Sequence, residues 1–148
     1  MQLPWGMFGE NLTIEGLLED IVNIGDQFRI GSSVLMVTQP RMPCYKLGIR
    51  FGRNDIIKRF LWSCRIGFYL SVLEEGEVSA GDAIELIRQD ENNVTVADIT
   101  RLYVSKKDNL EVLHRAVQVE ALPENRRVYF SHKIKKAKSY LVSSCPMS

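Results

Sequence analysis

The segment Gln39-Pro40-Arg41-Met42-Pro43-Cys44-Tyr45-Lys46 holds the densest chemical signal in this 148-residue chain. Its two prolines fix the local backbone and remove amide donors, so a strand cannot continue through them. Cys44 is thereby presented from a stiff loop, with Arg41 and Lys46 close by in sequence. Cationic neighbours lower a thiol's pKa and favour the thiolate, the form that attacks an electrophile or ligates a metal. The competing reading is that of any lone cysteine, an inert small residue of the core.

A second candidate is Trp5-Gly6-Met7-Phe8-Gly9-Glu10-Asn11-Leu12-Thr13. Its glycines permit close backbone approach to a ligand, and Asn11 offers both a donor and an acceptor. A tight structural turn explains the same residues. Cys64 and Cys145 gain no support from their neighbours, and no CxxC pair exists, so zinc-knuckle and thioredoxin chemistry are excluded. The cysteines read as reduced thiols of a cytoplasmic protein. His114 and His132 fall far from Cys44 in sequence and read as surface or helix-packing residues. No phosphate-binding P-loop and no HExxH motif is present.

These residues need a scaffold, and the composition supplies one. The chain is 45% hydrophobic and 25% charged, as in an ordinary globular domain able to bury roughly two-thirds of its unfolded surface. No apolar run is long enough to span a bilayer, and no signal peptide is evident. The net charge of +1 argues against a basic nucleic-acid coat or an acidic tail protein. It conceals a partition, however. Residues 1–40 carry −4, residues 41–68 carry +6, residues 69–100 carry −7 and residues 101–148 carry +6. Cys44 lies in the first positive block, together with Arg41, Lys46 and Arg65.

The first hundred residues read as strands and turns. Strands are expected at 12–14, 28–30, 34–37, 67–73, 83–88 and 94–96, with 34–37 buried on both faces. Gly25-Asp26 and Gly81-Asp82 each precede alternating apolar residues, as at tight corners of a compact barrel. Residues 55–62 read as a helix that Asp55 can cap. After Ala97 helical periodicity takes over. Asp98 is expected to cap a first helix, Asp108 with Glu111 to form a capping box on a second, and Pro123 to open a third. The tail carries four lysines between Lys133 and Lys138. A solvated end explains them better than a nucleic-acid contact.

Three motifs occur in order: Gly9-Glu10-Asn11-Leu12 with Gly16, then Gln39-Pro40-Arg41-x-Pro43-Cys44-x-Lys46-Leu47, then Gly67-Phe68-Tyr69 through Val72-Leu73-x-x-Gly76-x-Val78-x-x-Gly81-Asp82. Together they resemble the molybdenum-cofactor-sulfurase C-terminal (MOSC) domain in its YiiM-like branch, over about residues 3–133. The resemblance implies a mainly β fold, a MOSC-type β-barrel-like domain over residues 1–96 that is N-terminally incomplete. A small three-helix C-terminal module over 97–134 and a basic, disordered tail over 135–148 would follow.

It also implies molybdopterin-type molybdenum cofactor binding and reduction of N-hydroxylated small molecules, with electrons from a partner redox protein. Cys44 would be the catalytic residue and molybdenum ligand. Asn11, Arg41, Lys46 and Arg65 would contact the cofactor, whose terminal phosphate suits arginine forks. A truncated, non-catalytic binding module and a sulfur carrier working through a Cys44 persulfide are the alternatives. Pyridoxal phosphate binding attaches to the family only at the level of general description. No membrane or nucleic-acid partner is expected. Cys64 and Ile66 stand where the family usually has Gly and a small hydroxyl residue, and Ser71 replaces a common arginine.

Overall fold

The computed structural model describes residues 11–42, 49–53, 55–105 and 109–144, with side chains through 138. Cys44, Lys46, Asp108 and Cys145 lie outside the described residues. Four strands, β1 (Gln27–Ile30), β2 (Ser33–Pro40), β3 (Phe68–Glu74) and β4 (Ile84–Arg88), form one antiparallel sheet in the order β3-β2-β1-β4. Among the described residues this sheet is open, with β3 and β4 at its edges, so the barrel is not closed.

The strands form where β-branched and aromatic residues cluster. β1 and β2 join through Gly31-Ser32, with Ile30 paired to Ser33 and Gly31 at φ 58°. That positive φ suits a two-residue hairpin loop. In β2, Val34, Leu35 and Val37 are buried, as their unbroken apolar run predicts for a strand with neighbours on both sides. The β2–β3 ladder shifts register between Val37 and Gln39, and there the Thr38 hydroxyl donates to the Tyr69 carbonyl at 3.2 Å.

Helix α1 (Ile56–Ser63) lies between β2 and β3 and has no buried residue. Helices α2 (Val96–Val104), α3 (Leu110–Ala116) and α4 (Glu124–Ser144) follow the sheet. They share one hydrophobic core with it: Ile24, Phe28 and Val37 join Ile99, Leu113 and Phe130 in a single cluster. The helices are therefore the second layer over the sheet, each covering an apolar surface the other could not bury alone.

Several local expectations are corrected. Residues 12–14 form no strand, because alternation does not make one without a hydrogen-bonding neighbour, and none pairs with them among the described residues. Residues 94–96 are also not a strand. Thr95 makes one isolated bridge to Asn23 and is the N-cap of α2. Its hydroxyl accepts from the Asp98 amide at 3.0 Å and the Asp98 carboxylate accepts from the Thr95 amide at 3.1 Å. Asp98 is thus the third-residue partner of a capping box, in the first turn, and not the N-cap. On α3 the cap is Asn109, which accepts from the Val112 amide at 3.3 Å.

Asp55 occupies the N-cap position of α1 but makes no capping bond. Its carboxylate instead holds Arg53 at 2.8 Å and Arg59 at 3.0 Å. The tail assigned to disorder is helical through Ser144. Buried Phe130 and Ile134 anchor α4, and the lysines and alanine beyond them are good helix formers.

Candidate functional site

Arg41 and Arg65 are separated by 24 positions, yet strand pairing brings their flanks together. Pro40 pairs with Phe68 at the end of β2, and the Arg41 amide then donates to the Gly67 carbonyl at 3.1 Å. The Gly67 amide, in turn, donates to the Glu19 carboxylate at 3.1 Å. Gly67 is thereby tied through both its amide and its carbonyl, and its φ of 81° is a conformation glycine adopts without strain.

Around this junction lies a cleft of about 680 Å³. Asn11, Arg41 and Arg65 all line it, with Glu19, Tyr69 and an apolar floor that includes Leu17 and Leu35. Three of the five site residues read from the sequence therefore meet in one place. Cys44 and Lys46 lie outside the described residues.

The cleft carries two cationic side chains against Glu19. A guanidinium is a fixed fork of donors, suited to bidentate hold on a phosphate or carboxylate. Tyr69 is half exposed and offers a ring face against which a planar heterocycle can stack. The cleft's size and mixed lining are those of a small-molecule or cofactor site. Sequence reasoning missed Glu19, because nothing in its local pattern signals a bond to a residue 48 positions away. Tyr69 was visible only as part of the Gly67-Phe68-Tyr69 motif.

A second cleft of about 1020 Å³ shares the wall formed by residues 11–17. Its far side is the Ser79–Asp82 corner, and its charged lining residues are Glu15 and Asp82. The two clefts are thus opposite in sign across one segment.

Nearby, Arg53 precedes α1, and Lys58 and Arg59 lie on it. The Arg53 guanidinium, doubly hydrogen-bonded to Asp55 at 3.0 and 2.8 Å, holds that carboxyl below its ordinary pKa, with Arg59 adding to the effect. These arginines are therefore engaged away from the cleft. Cys64 ends α1 at φ 56°, a left-handed conformation that favours glycine. Ile66 is buried, so an apolar side chain suits its position. Among the described residues no group of His, Cys, Asp and Glu forms a metal cage, and no helix is long and apolar enough to cross a membrane.

An antiparallel sheet with a cationic cleft at its β2–β3 corner, backed by three helices, defines a class. The MOSC domain pattern matches residues 1–85, and the chain belongs to that family. The pattern described as the YiiM-like, 3-alpha helix domain matches residues 94–137.

Among individual proteins, the chain is 40% identical to the uncharacterized protein YflK of Bacillus subtilis, covering 85% of this chain and 57% of that one. It is 35% identical to protein YiiM of Escherichia coli, over 80% and 52% of the two chains. A protein named reductase from Gibberella moniliformis is 32% identical over 77% of this chain but only 20% of its own length. The chain thus spans about half the length of the bacterial relatives and a fifth of the fungal one. In three dimensions it is similar to the crystal structure of YiiM from Geobacillus stearothermophilus. The TM-score is 0.84 at 31% identity, over 90% of this chain and 69% of that one.

Proposed function

We propose that this MOSC-family chain binds a molybdopterin-type molybdenum cofactor and takes part in reducing N-hydroxylated small molecules. The observation that carries the reading is the convergence of Asn11, Arg41 and Arg65 on one cleft. The donor set fits the group. Two guanidinium forks suit an anionic phosphate, Asn11 can both donate to and accept from a pterin edge, and Tyr69 can lie against its plane. Cys44 follows Arg41 by three residues in the sequence. A thiolate there is a soft ligand of the kind a sulfur-ligated metal accepts.

When bound, the cofactor supplies two-electron redox chemistry that protein side chains lack. Cleaving the N–O bond of a hydroxylamine takes two electrons and two protons, leaving the amine and releasing the oxygen as water. A separate redox protein is the source of the electrons in this reading. The chain's own residues bind and orient: Arg41 and Arg65 fix the anion, and the Glu19–Gly67–Arg41 tie holds the two arginine-bearing segments in register. The name reductase carried by one relative is consistent with this direction of chemistry.

The test is to purify the protein with cofactor supplied and measure molybdenum and pterin together. Wild type should retain both. Cys44→Ser should lose molybdenum, and Arg41→Ala with Arg65→Ala should lower pterin retention about tenfold or more. Wild type that retains neither, or a Cys44→Ser protein that keeps its metal, overturns the reading.

A second reading, a non-catalytic binding module, draws on the exposed Tyr69, Val72 and Leu73 of β3 and Leu86 and Ile87 of β4. Loaded protein that reduces an N-hydroxylated purine, given a chemical reductant, rules that module out.

A further inference from the structure

Helix α1 sorts its side chains by exposure. Helical winding puts Asp55, Lys58, Arg59, Trp62 and Ser63 on one arc and Ile56, Ile57, Phe60 and Leu61 on the other. The first arc is exposed and the second half-buried. Trp62 breaks the pattern: the largest side chain of the helix is 64% exposed and stands on the cationic arc. Ile49, just before the helix, is 73% exposed. From Ile49 to Ser63 the chain carries Arg50, Arg53, Lys58 and Arg59 against Asp55 alone. Arg53 and Arg59 share that carboxylate, and no ion pair among the described residues involves Arg50 or Lys58. Tryptophan beside arginine, out of the core, is the composition of an interface anchor.

The end of β3 and the turn after it carry the complement. Every residue from Val72 to Ala83 is exposed. This stretch holds Glu74, Glu75, Glu77 and Asp82 with no base, beside Val72 and Leu73 at 57% and 46% exposure. It is held in place, because the Glu77 amide donates to the Ser32 hydroxyl at 2.8 Å and the Ser32 amide donates to the Glu77 carbonyl at 3.1 Å. Among the described residues no ion pair involves any of these four acids. The chain therefore carries two exposed segments of opposite charge, each with apolar side chains, and does not neutralise one with the other.

We propose that copies of this chain associate through these two segments, the outer arc of α1 on one copy against the 72–83 stretch of another. Trp62 is the apolar centre of the contact, and Arg50 and Lys58 meet the glutamates. Each copy carries both halves, so the contact either closes as a symmetric ring or grows head to tail. The proposal stands apart from the cofactor reading and survives its failure. Two other occupants fit less well. A membrane-surface helix inserts its apolar face, and that of α1 is already half-buried. A nucleic acid is held by neutralising many phosphates, and Arg50 and Lys58 are too few. A second copy brings carboxylates and exposed apolar side chains together on one stretch held in place before contact.

Sedimentation velocity on the full chain tests this. Wild type should associate as its concentration rises, and added salt should reverse the association. Lys58→Glu should weaken self-association about tenfold, and so should Glu74→Lys with Glu75→Lys. Mixing those two proteins should restore association, because the reversed charges again face opposite ones. Trp62→Ala should weaken it about as much, whereas Lys136→Glu, the same reversal on exposed α4, should leave it unchanged. Circular dichroism checks that each variant keeps its fold, and the glutamine equivalents replace any charge reversal that does not. The proposal is overturned by wild type that stays monomeric up to about 1 mM. Equal effects of Lys136→Glu and Lys58→Glu overturn it too, as does a mixture that fails to associate.

Discussion

The same two residues, Gly-Asp, turn the chain into β1 and into β4, and they do so with the same bonds. The Asp26 amide donates to the Asn23 carbonyl at 3.2 Å, while its carboxylate accepts from the Asn23 amide at 3.0 Å. At the second corner the Asp82 amide donates to the Ser79 carbonyl at 3.1 Å, and its carboxylate accepts from the Ser79 amide at 2.7 Å. Their surroundings differ. Asp26 is 3% exposed, and its second oxygen accepts from the Asp90 amide at 2.9 Å, joining the start of β1 to the end of β4. Asp82 is exposed and lines the second cleft. A turn device legible in sequence is thus a rivet on the helix-backed side and an open rim on the cleft side.

Substituting the aspartates gives the largest contrast. Asp26→Ala strands two amides in a buried site and should cost about 3 kcal/mol or more. Asp82→Ala removes one exposed bond and should cost no more than about 1 kcal/mol. Urea melts of the two variants measure the gap, and equal losses would erase the distinction.

Next come the glycines. Gly25 has φ 96° and a Cβ there would run into the Asp90 side chain, whereas Gly81 has φ 89° with open space beside it. Gly81→Ala should cost about 1 kcal/mol from backbone strain alone. Gly25→Ala adds a clash, and its loss should exceed that of Gly81→Ala by at least about 1 kcal/mol in the same melts.

A smaller effect of opposite sign is expected at Cys64, whose φ of 56° is costly for a side chain. Cys64→Gly should raise stability by about 0.5–1 kcal/mol. Unchanged or lower thermal stability would show that the thiol's contacts outweigh the strain.

The smallest effect lies among the helices. Among the described residues the Tyr103 hydroxyl is buried without a hydrogen-bond partner, and burial raises its pKa above the ordinary tyrosine value, with the Arg126 guanidinium opposing. With the folded value above the unfolded one, this contribution is whole below the unfolded pKa and is lost as pH rises through the folded one. Tyr103→Phe should leave neutral-pH stability within about 1 kcal/mol of wild type. It should also reduce the fall in stability above pH 10. An unaltered alkaline limb would assign that fall to other groups.

The sheet was largely legible because its strands are unbroken β-branched or aromatic runs closed by Gly or Pro. The misses share a cause: segments whose state is decided by distant partners. Residues 12–14 alternate like a strand but pair with no neighbour among the described residues. Val94-Thr95-Val96 has strand composition, yet the reciprocal Thr95–Asp98 bonds start a helix inside it. Lysine-rich α4 resembles a solvated tail until Phe130 and Ile134 reach the core. In the cleft, Arg41 and Arg65 were readable as members of one positive block. Their convergence depends on the β2–β3 register, and the Glu19 bond to Gly67 leaves no local signature at all.

Residues 11–17 form a partition between two compartments of opposite charge. A partition gives one room only by taking it from the other. Anything that presses Asn11 or Leu17 toward β3 narrows the arginine-lined side and widens the acidic side. Were both spaces to take ligands that shift this segment, thermodynamic reciprocity would require each to alter the other's affinity by the same factor.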